Sequence, residues 1–337
     1  MRFLRKLLFP LAILYGFVTA LRNMLYDRGW LQSVSFDVPV IAVGNLSVGG
    51  TGKSPMVEYL IRLLQPDYRI AVLSRGYKRQ THGFRLASKN DSAETLGDEP
   101  FQFYKKFPAI RVAVDADRVR GIKSLLNLPD APQVILLDDG FQHRRVKAGY
   151  YIVLTAYGDL YADDFMLPTG NLREGWRGAK RANCIVVTKC PSNLSDAEQD
   201  LIRKKLQIKK GQFLCFTSIG YADAVQGAGV RPVDEIRRES KLVLAGIAKP
   251  KPFFDYLVQE DDTVLSFADH HRFTQNELHA IASQANDRPI VTTEKDFARL
   301  EGKIDAQLFY LPIETRFLAG RERFDQAISD FVRQKTT

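Results

Sequence analysis

An α/β fold is predicted, with a mostly parallel sheet flanked by helices and a second, smaller α/β domain behind it; three observations carry that expectation. From Pro39 onward, short β-branched runs alternate with longer amphipathic stretches, the pattern of parallel strands joined by crossover helices. The runs at 38–43, 69–74, 111–114, 133–137, 151–155 and 184–188 are predominantly apolar, as strands covered on both faces tend to be. A second series, at 242–246, 264–267, 289–292 and 307–311, follows a crossing strand near 213–219.

Bulk composition agrees with this layout. The chain has 337 residues, about twice the ~150 typical of one domain, so residues 31–220 and 221–337 are expected to form two units. Hydrophobic residues at 45% and charged residues at 26% describe a folded globular chain. Cys184, Cys190 and Cys215 lack CxxC spacing, which excludes a disulfide framework or a zinc site and fits a reducing cytosol. The formal charge of +9 favours acidic partners such as nucleotides or anionic headgroups. Nucleic acid is not expected, because the basic residues are dispersed and no aromatic-basic recognition motif occurs.

Residues 1–30 depart from the rest. Arg2, Arg5 and Lys6 precede the apolar run 7–21, which Arg22 and Arg28 follow. A spanning helix needs ~20 apolar residues, and this run is shorter and interrupted by Pro10. A secretory signal, with cleavage after Val18-Thr19-Ala20, would carry a nucleotide-binding loop to where no ATP exists. The expectation is a helix lying in the membrane interface, with Phe3, Leu7, Leu8, Leu11, Leu14, Tyr15, Phe17 and Trp30 in the headgroup boundary and the arginines on anionic lipid. Packing of this helix on the protein body is the alternative.

Further helices are expected after Gly52, Asp115 and Ser195, and the first of these opens a motif. VIAVGNLSVGGTGKSP, residues 40–55, runs from an apolar strand through a glycine-rich turn into that helix. A phosphate loop needs this context: Gly49, Gly50, Thr51 and Gly52 curl backbone N–H groups around phosphate oxygens, Lys53 supplies a point charge, and Ser54 can ligate Mg²⁺. The fold is therefore expected to be of the P-loop NTPase type, with ATP and Mg²⁺ as ligands. Ser47 stands where the motif has its first glycine, and Gly44 is expected to help open the bend.

The apolar run at 133–137 ends in Asp138-Asp139-Gly140. A carboxylate at a strand's C-terminal end, beside the phosphate loop, holds the hydrated Mg²⁺ that bridges phosphates, so Asp138 or Asp139 is the expected ligand. A P-loop GTPase or metallochaperone-like switch shares these parts. Guanine selection, however, commonly uses an [NT]KxD turn, and Thr188-Lys189-Cys190-Pro191 has proline where the carboxylate would sit.

Seven segments in order, VGNLSVGGTGKSP, LSRGYKR, GDEP, DDGFQH, NLRE, VTK and FADHHRF, resemble the motif series of the tetraacyldisaccharide 4'-kinase family, over nearly the whole chain. The resemblance implies transfer of the ATP γ-phosphate to the 4'-hydroxyl of a tetraacylated glucosamine disaccharide 1-phosphate, forming lipid IVA on the cytoplasmic face of the bacterial inner membrane. It implies a lipid disaccharide substrate; a monomer bound peripherally to that membrane is the expectation that accompanies the interfacial helix. By motif, Lys53 and Ser54 fall on the phosphate loop, Lys189 beside the nucleotide, Asp138 and Asp139 on the metal strand, and Asp98 on the base. Asp98 also suits the first turn of a helix before Pro100. His270 would partner Asp98, although His271 competes for the position. Arg75, Lys78, Arg118, Arg120, Arg144, Arg145 and Arg173 are the cations in or near these motifs; Arg120 is expected in catalysis, and Arg75, Arg173 and His271 at the substrate. Glu174 is expected either to meet a sugar hydroxyl or to brace its loop.

Overall fold

The computed structural model describes residue 5 and residues 7–269 and 271–336, and divides into a unit of residues 1–219 with 315–337 and a unit of residues 220–314. In chain order the first unit contains α1 (Phe9–Asp27), β1 (Val40–Asn45), α2 (Lys53–Leu64), β2 (Ile70–Ser74), β3 (Arg85–Leu86), α3 (Ala93–Leu96), α4 (Asp98–Lys106), β4 (Arg111–Val114), α5 (Arg118–Leu126), β5 (Val134–Asp138), β6 (Tyr150–Ala156), β7 (Cys184–Thr188), α6 (Asp196–Leu206) and β8 (Phe213–Tyr221). The second contains β9 (Ala224–Gly227), β10 (Arg231–Pro232), α7 (Val233–Arg238), β11 (Leu242–Ala245), α8 (Lys251–Leu257), β12 (Thr263–Ser266), α9 (Gln275–Ala285), β13 (Ile290–Thr293), α10 (Glu294–Leu300) and β14 (Leu308–Leu311). The chain then re-enters the first unit through β15 (Ile313–Ala319) and α11 (Arg321–Thr336).

The large sheet has the order β15-β8-β7-β6-β1-β5-β2-β4-β3. β1 lies parallel between β5 and β6, with Val43 opposite both Asp138 and Ile152, so the end of β1 emerges beside the end of β5. Burial on both faces explains the unbroken apolar runs: Ile41 and Val43 pack among Met56, Val57 and Leu60 of α2, while Val40 and Ala42 face a core with Val119 and Ile122 of α5. Ser195 caps α6 in a reciprocal box with Glu198, which is why that helix starts there. In the smaller unit, β14, β13, β11 and β12 run parallel, with β9 and β10 added antiparallel at one edge.

Two expectations are corrected. Residues 315–337 do not belong to the second domain: β15 takes the edge of the large sheet, and α11 buries the stripe Phe324, Ile328 and Val332 in the first unit's core. Pro10 does not interrupt the N-terminal helix, because it sits in the first turn, where no intrahelical N–H bond is required of it. The helix thus runs 19 residues and is long and apolar enough, by length and composition, to cross a membrane. One face buries Ala12 and Thr19, and the opposite face exposes Leu14, Phe17, Val18 and Leu21.

Candidate active site

The phosphate loop leaves β1 at Asn45, and its opening bend is not made by Gly44. That residue stays in the strand, where an added Cβ would come 2.5 Å from Cβ of Phe141; its smallness admits the turn after β5. The bend comes instead from pairing with the NLRE segment. Ser47 bridges Leu172, the Val48 N–H donates to the Asn171 carbonyl at 2.8 Å, and the Arg173 N–H donates to the Leu46 carbonyl at 2.8 Å. The Asn45 amide donates to the Ser47 carbonyl at 2.6 Å, closing the turn that a glycine would otherwise make.

Beyond it, Gly49 and Gly52 adopt φ of +114° and +83°, conformations side chains rarely tolerate. Gly52 precedes α2 without a side-chain cap, so the first N–H groups of the helix keep their capacity to bind an anion. The VTK segment supports the loop from β7: Thr188 Oγ1 donates to the Thr51 carbonyl at 2.8 Å, and Lys189 Nζ donates to the Gly50 carbonyl.

Three carboxylates converge on this loop. Asp139, at φ +51° in the turn after β5, accepts from Arg173 Nη1 at 2.8 Å and lies 3.7 Å from Lys53 Nζ, which also donates to Asn45 Oδ1 at 3.4 Å. Asp138 is 3% exposed; its Oδ2 accepts from Ser74 Oγ at 2.9 Å, and its buried Oδ1 has no hydrogen-bond partner among the described residues. Ser54 Oγ donates to Glu99 Oε1 at 3.2 Å, bringing the start of α4 to the loop with Asp98 one residue ahead. Burial, then the Glu99 carboxylate, push Asp138 well above the ordinary carboxylate range despite the opposing pull of Lys53. Burial also acts to raise Asp139, but Lys53 and Arg173 outweigh it and hold that group below its ordinary value.

An orphaned buried carboxylate oxygen is costly unless something claims it. A hard divalent cation fits here: Mg²⁺ takes one or two carboxylates and a hydroxyl, and leaves its other positions to phosphate and water. Asp138 Oδ1 and Ser54 Oγ are suitable donors, with Glu99 adjacent. Among the described residues no group of three or more His, Cys, Asp or Glu is placed to hold a metal ion by itself. Glu99, Asn45 and Ser74 are not singled out by the sequence, although they stand in its GDEP, VGNLSVGGTGKSP and LSRGYKR segments.

The other expected residues are distributed unequally. Arg120 makes a bidentate pair with the buried Asp115, at 2.8 and 2.7 Å, which fixes the start of α5. Arg118, 1% exposed, lies at the end of β5 instead, donating to the Asp115 carbonyl at 2.8 Å and, at 3.5 Å, to that of Asp138; burial lowers it to about 10. Arg75 is exposed, and its charge, after burial and Arg118, helps depress His143 to about 4. Arg144 donates to the Asn23 carbonyl and Asp27, and Arg145 to Asp117. Glu174, expected at a sugar hydroxyl or as a brace, is 1% exposed; it accepts from Arg181, Gln142 and Asn23 and in this geometry braces. In the second unit His271 pairs with Glu277 at 3.0 Å, stacks on Phe267 and packs against Phe273. His270 lies outside the described residues.

Comparison with known proteins converges on one family. The family model of tetraacyldisaccharide-1-P 4'-kinase matches residues 4–333. The tetraacyldisaccharide 4'-kinase of Flavobacterium johnsoniae is 59% identical over 99% of both chains, and that of Bacteroides fragilis 43% identical over 99% of this chain and 94% of its own. A crystal structure of LpxK from Aquifex aeolicus, an "apo" form in complex with ATP, is similar at a TM-score of 0.80 and 30% identity, covering 98% of this chain and 99% of that one.

Proposed function

The chain belongs to the tetraacyldisaccharide-1-P 4'-kinase family, and from that premise we propose that its larger unit binds ATP at the loop 49–54 and transfers the γ-phosphate to the 4'-hydroxyl of a tetraacyl disaccharide 1-phosphate, the lipid IVA-forming step of lipid A synthesis. The observation that carries the reading is the meeting of the loop, Lys53 and the orphaned Asp138 oxygen at adjacent strand ends.

Each residue then has a defined task. Backbone N–H groups of the loop and of the first turn of α2 bind phosphate oxygens, and Lys53 offsets negative charge on the transferring group. Ser54 and Asp138 would hold Mg²⁺, with Glu99 beside them; bound there, the ion neutralises phosphate charge. Asp139, kept ionised by Lys53 and Arg173, orients Lys53. Asp98 takes the proton from the acceptor hydroxyl onto its carboxylate. Arg75 and Arg173 are assigned to the anionic substrate, and Lys189 to the nucleotide through its hold on the loop. Docking of a monomer on the cytoplasmic face of the inner membrane is part of the proposal, supported by the exposed apolar face of α1 and by Trp30, 70% exposed.

A phosphate-transfer assay with ATP and the acylated disaccharide in detergent tests the chemistry. Lys53→Ala is expected to lose about 10²-fold or more in kcat; unaltered turnover would remove the loop from the reaction. Flotation with anionic vesicles tests the docking. Leu14→Glu/Phe17→Glu is expected to shift the protein off the vesicles, because each charge at an apolar interface costs a few kcal/mol. A variant that floats like the wild type would count against the interfacial role of α1.

A further inference from the structure

Among the described residues, the polar partners of Lys53, Asn45 and Asp139, are each linked to the N-terminal helix through a short chain of hydrogen bonds. The first route runs through a buried carboxylate. Asn23 of α1 donates to Glu174 Oε2 at 2.8 Å, and Gln142 Nε2 donates at 3.0 Å to the other oxygen, Oε1. The same Gln142 nitrogen donates at 2.8 Å to the carbonyl of Asn45, whose side chain accepts from Lys53. The second route runs through Arg173. Tyr15 Oη of α1 donates to the Arg173 carbonyl at 3.0 Å, and the Arg173 guanidinium holds Asp139, the other partner of Lys53.

Glu174 is built into the first route, and it directly follows Arg173 of the second in the chain. Arg181 balances its charge at 2.8 Å and stacks 4.4 Å over the Phe141 ring. A Cβ on Gly178 would approach Glu174 Oε2 to 2.6 Å, so the sequence keeps that position bare. A buried carboxylate with this many donors is geometrically over-determined. Moving one donor must move the others or leave a buried group unsatisfied.

We infer that Glu174 is a positioning residue that couples the seating of the N-terminal helix to the placement of Lys53, so that the enzyme is fully aligned only while α1 is docked against the 142–181 network. Asn23 and Tyr15 lie on the face of α1 turned toward the body, and Leu14 and Phe17 on the face turned away, so one helix presents an apolar side outward and a polar linkage inward. Membrane or lipid that shifts α1 would then alter turnover without touching the phosphates. This inference rests on the kinase reading above and adds to it a mechanical route from the lipid-facing element.

The test is a double-mutant cycle on kcat in the full-length enzyme, with saturating ATP and detergent-dispersed lipid. Asn23→Ala and Gln142→Ala remove donors on opposite sides of Glu174. Each is expected to lower kcat by about 5- to 20-fold with KM for ATP changed by less than about threefold, as a displaced catalytic group would, and the double variant to lose little more than the worse single one. Tyr15→Phe deletes a single oxygen on the second route and is expected to cost about threefold in kcat. Should any variant fold poorly, melting curves will show it, and Tyr15→Phe leaves the packing intact.

Losses that multiply in the double variant overturn the coupling. So does a lowered melting temperature with kcat within about twofold of wild type, since a brace that only holds the fold would give that result. The wild-type rate measured alongside reports separately on the kinase reading, and ATP-induced stabilisation of each variant reports on loop geometry even without turnover.

Discussion

Asp138→Asn is expected to lower phosphate transfer by roughly 10³-fold, the loss of several kcal/mol of metal-borne charge stabilisation, while making the metal-free protein more stable at neutral pH. The opposed signs follow from one geometry. Asp138 is buried at the end of β5 with one oxygen on Ser74 and the other without a partner, beside Glu99 and Asp139. Burial and those neighbours raise its proton affinity in the folded state above that in the unfolded chain. Between the ordinary carboxylate value and the raised one, the native protein holds a proton that the unfolded chain has released. The linkage slope is then negative: the group's contribution to stability falls as pH rises through that window, and above it a buried, uncompensated charge remains. The asparagine amide removes the charge and keeps the shape. Calorimetry at pH 8 without Mg²⁺ should show the variant melting a few degrees higher, on the order of 1–2 kcal/mol, with the difference shrinking near pH 5 where the wild-type carboxyl is protonated. Added Mg²⁺ with nucleotide should stabilise the wild type and not the variant. A variant less stable than wild type at pH 8, or one that turns over normally, would remove Asp138 from the metal site.

The same residue shows what a sequence can and cannot carry. A run apolar on both faces and closed by two aspartates announces a buried strand with a functional end, because burial and chemistry are adjacent in the chain. Most of the large sheet and the phosphate loop were legible for that reason. Glu99 was passed over although its neighbour Asp98 was singled out, since only the fold brings the first turn of α4 to Ser54. Asn23 and Glu174 are 151 residues apart, and no periodicity links them. Gly44 reads from the sequence as a help to the loop's opening bend, whereas its role is set by Phe141 from another strand's loop. β3 and β10, two residues each, are too short to alternate, and α11 reads as an amphipathic helix that could cover either domain. Local chemistry was visible, and partners chosen by tertiary contact were not.

Asp98→Ala is expected to reduce kcat by about 10²- to 10⁴-fold, the range for losing a positioned general base, with ATP affinity held within about twofold. Asp98 opens α4 directly after Gly97, whose φ of +96° turns the chain, and an added Cβ there would meet the Tyr77 carbonyl at 3.2 Å. Its neighbour Glu99 is bonded to Ser54, so the two adjacent carboxylates divide the work by position: Glu99 beside the metal side of the loop, Asp98 one residue from it and half-buried. That division makes the outcomes separable. Asp98→Ala should keep Mg²⁺-nucleotide stabilisation in a melting experiment while losing turnover; Glu99→Gln should weaken the stabilisation itself. If Asp98→Ala retains turnover, or if it loses nucleotide-dependent stabilisation together with rate, the proton does not go to Asp98, and its place at the start of α4 is that of a helix-stabilising acid.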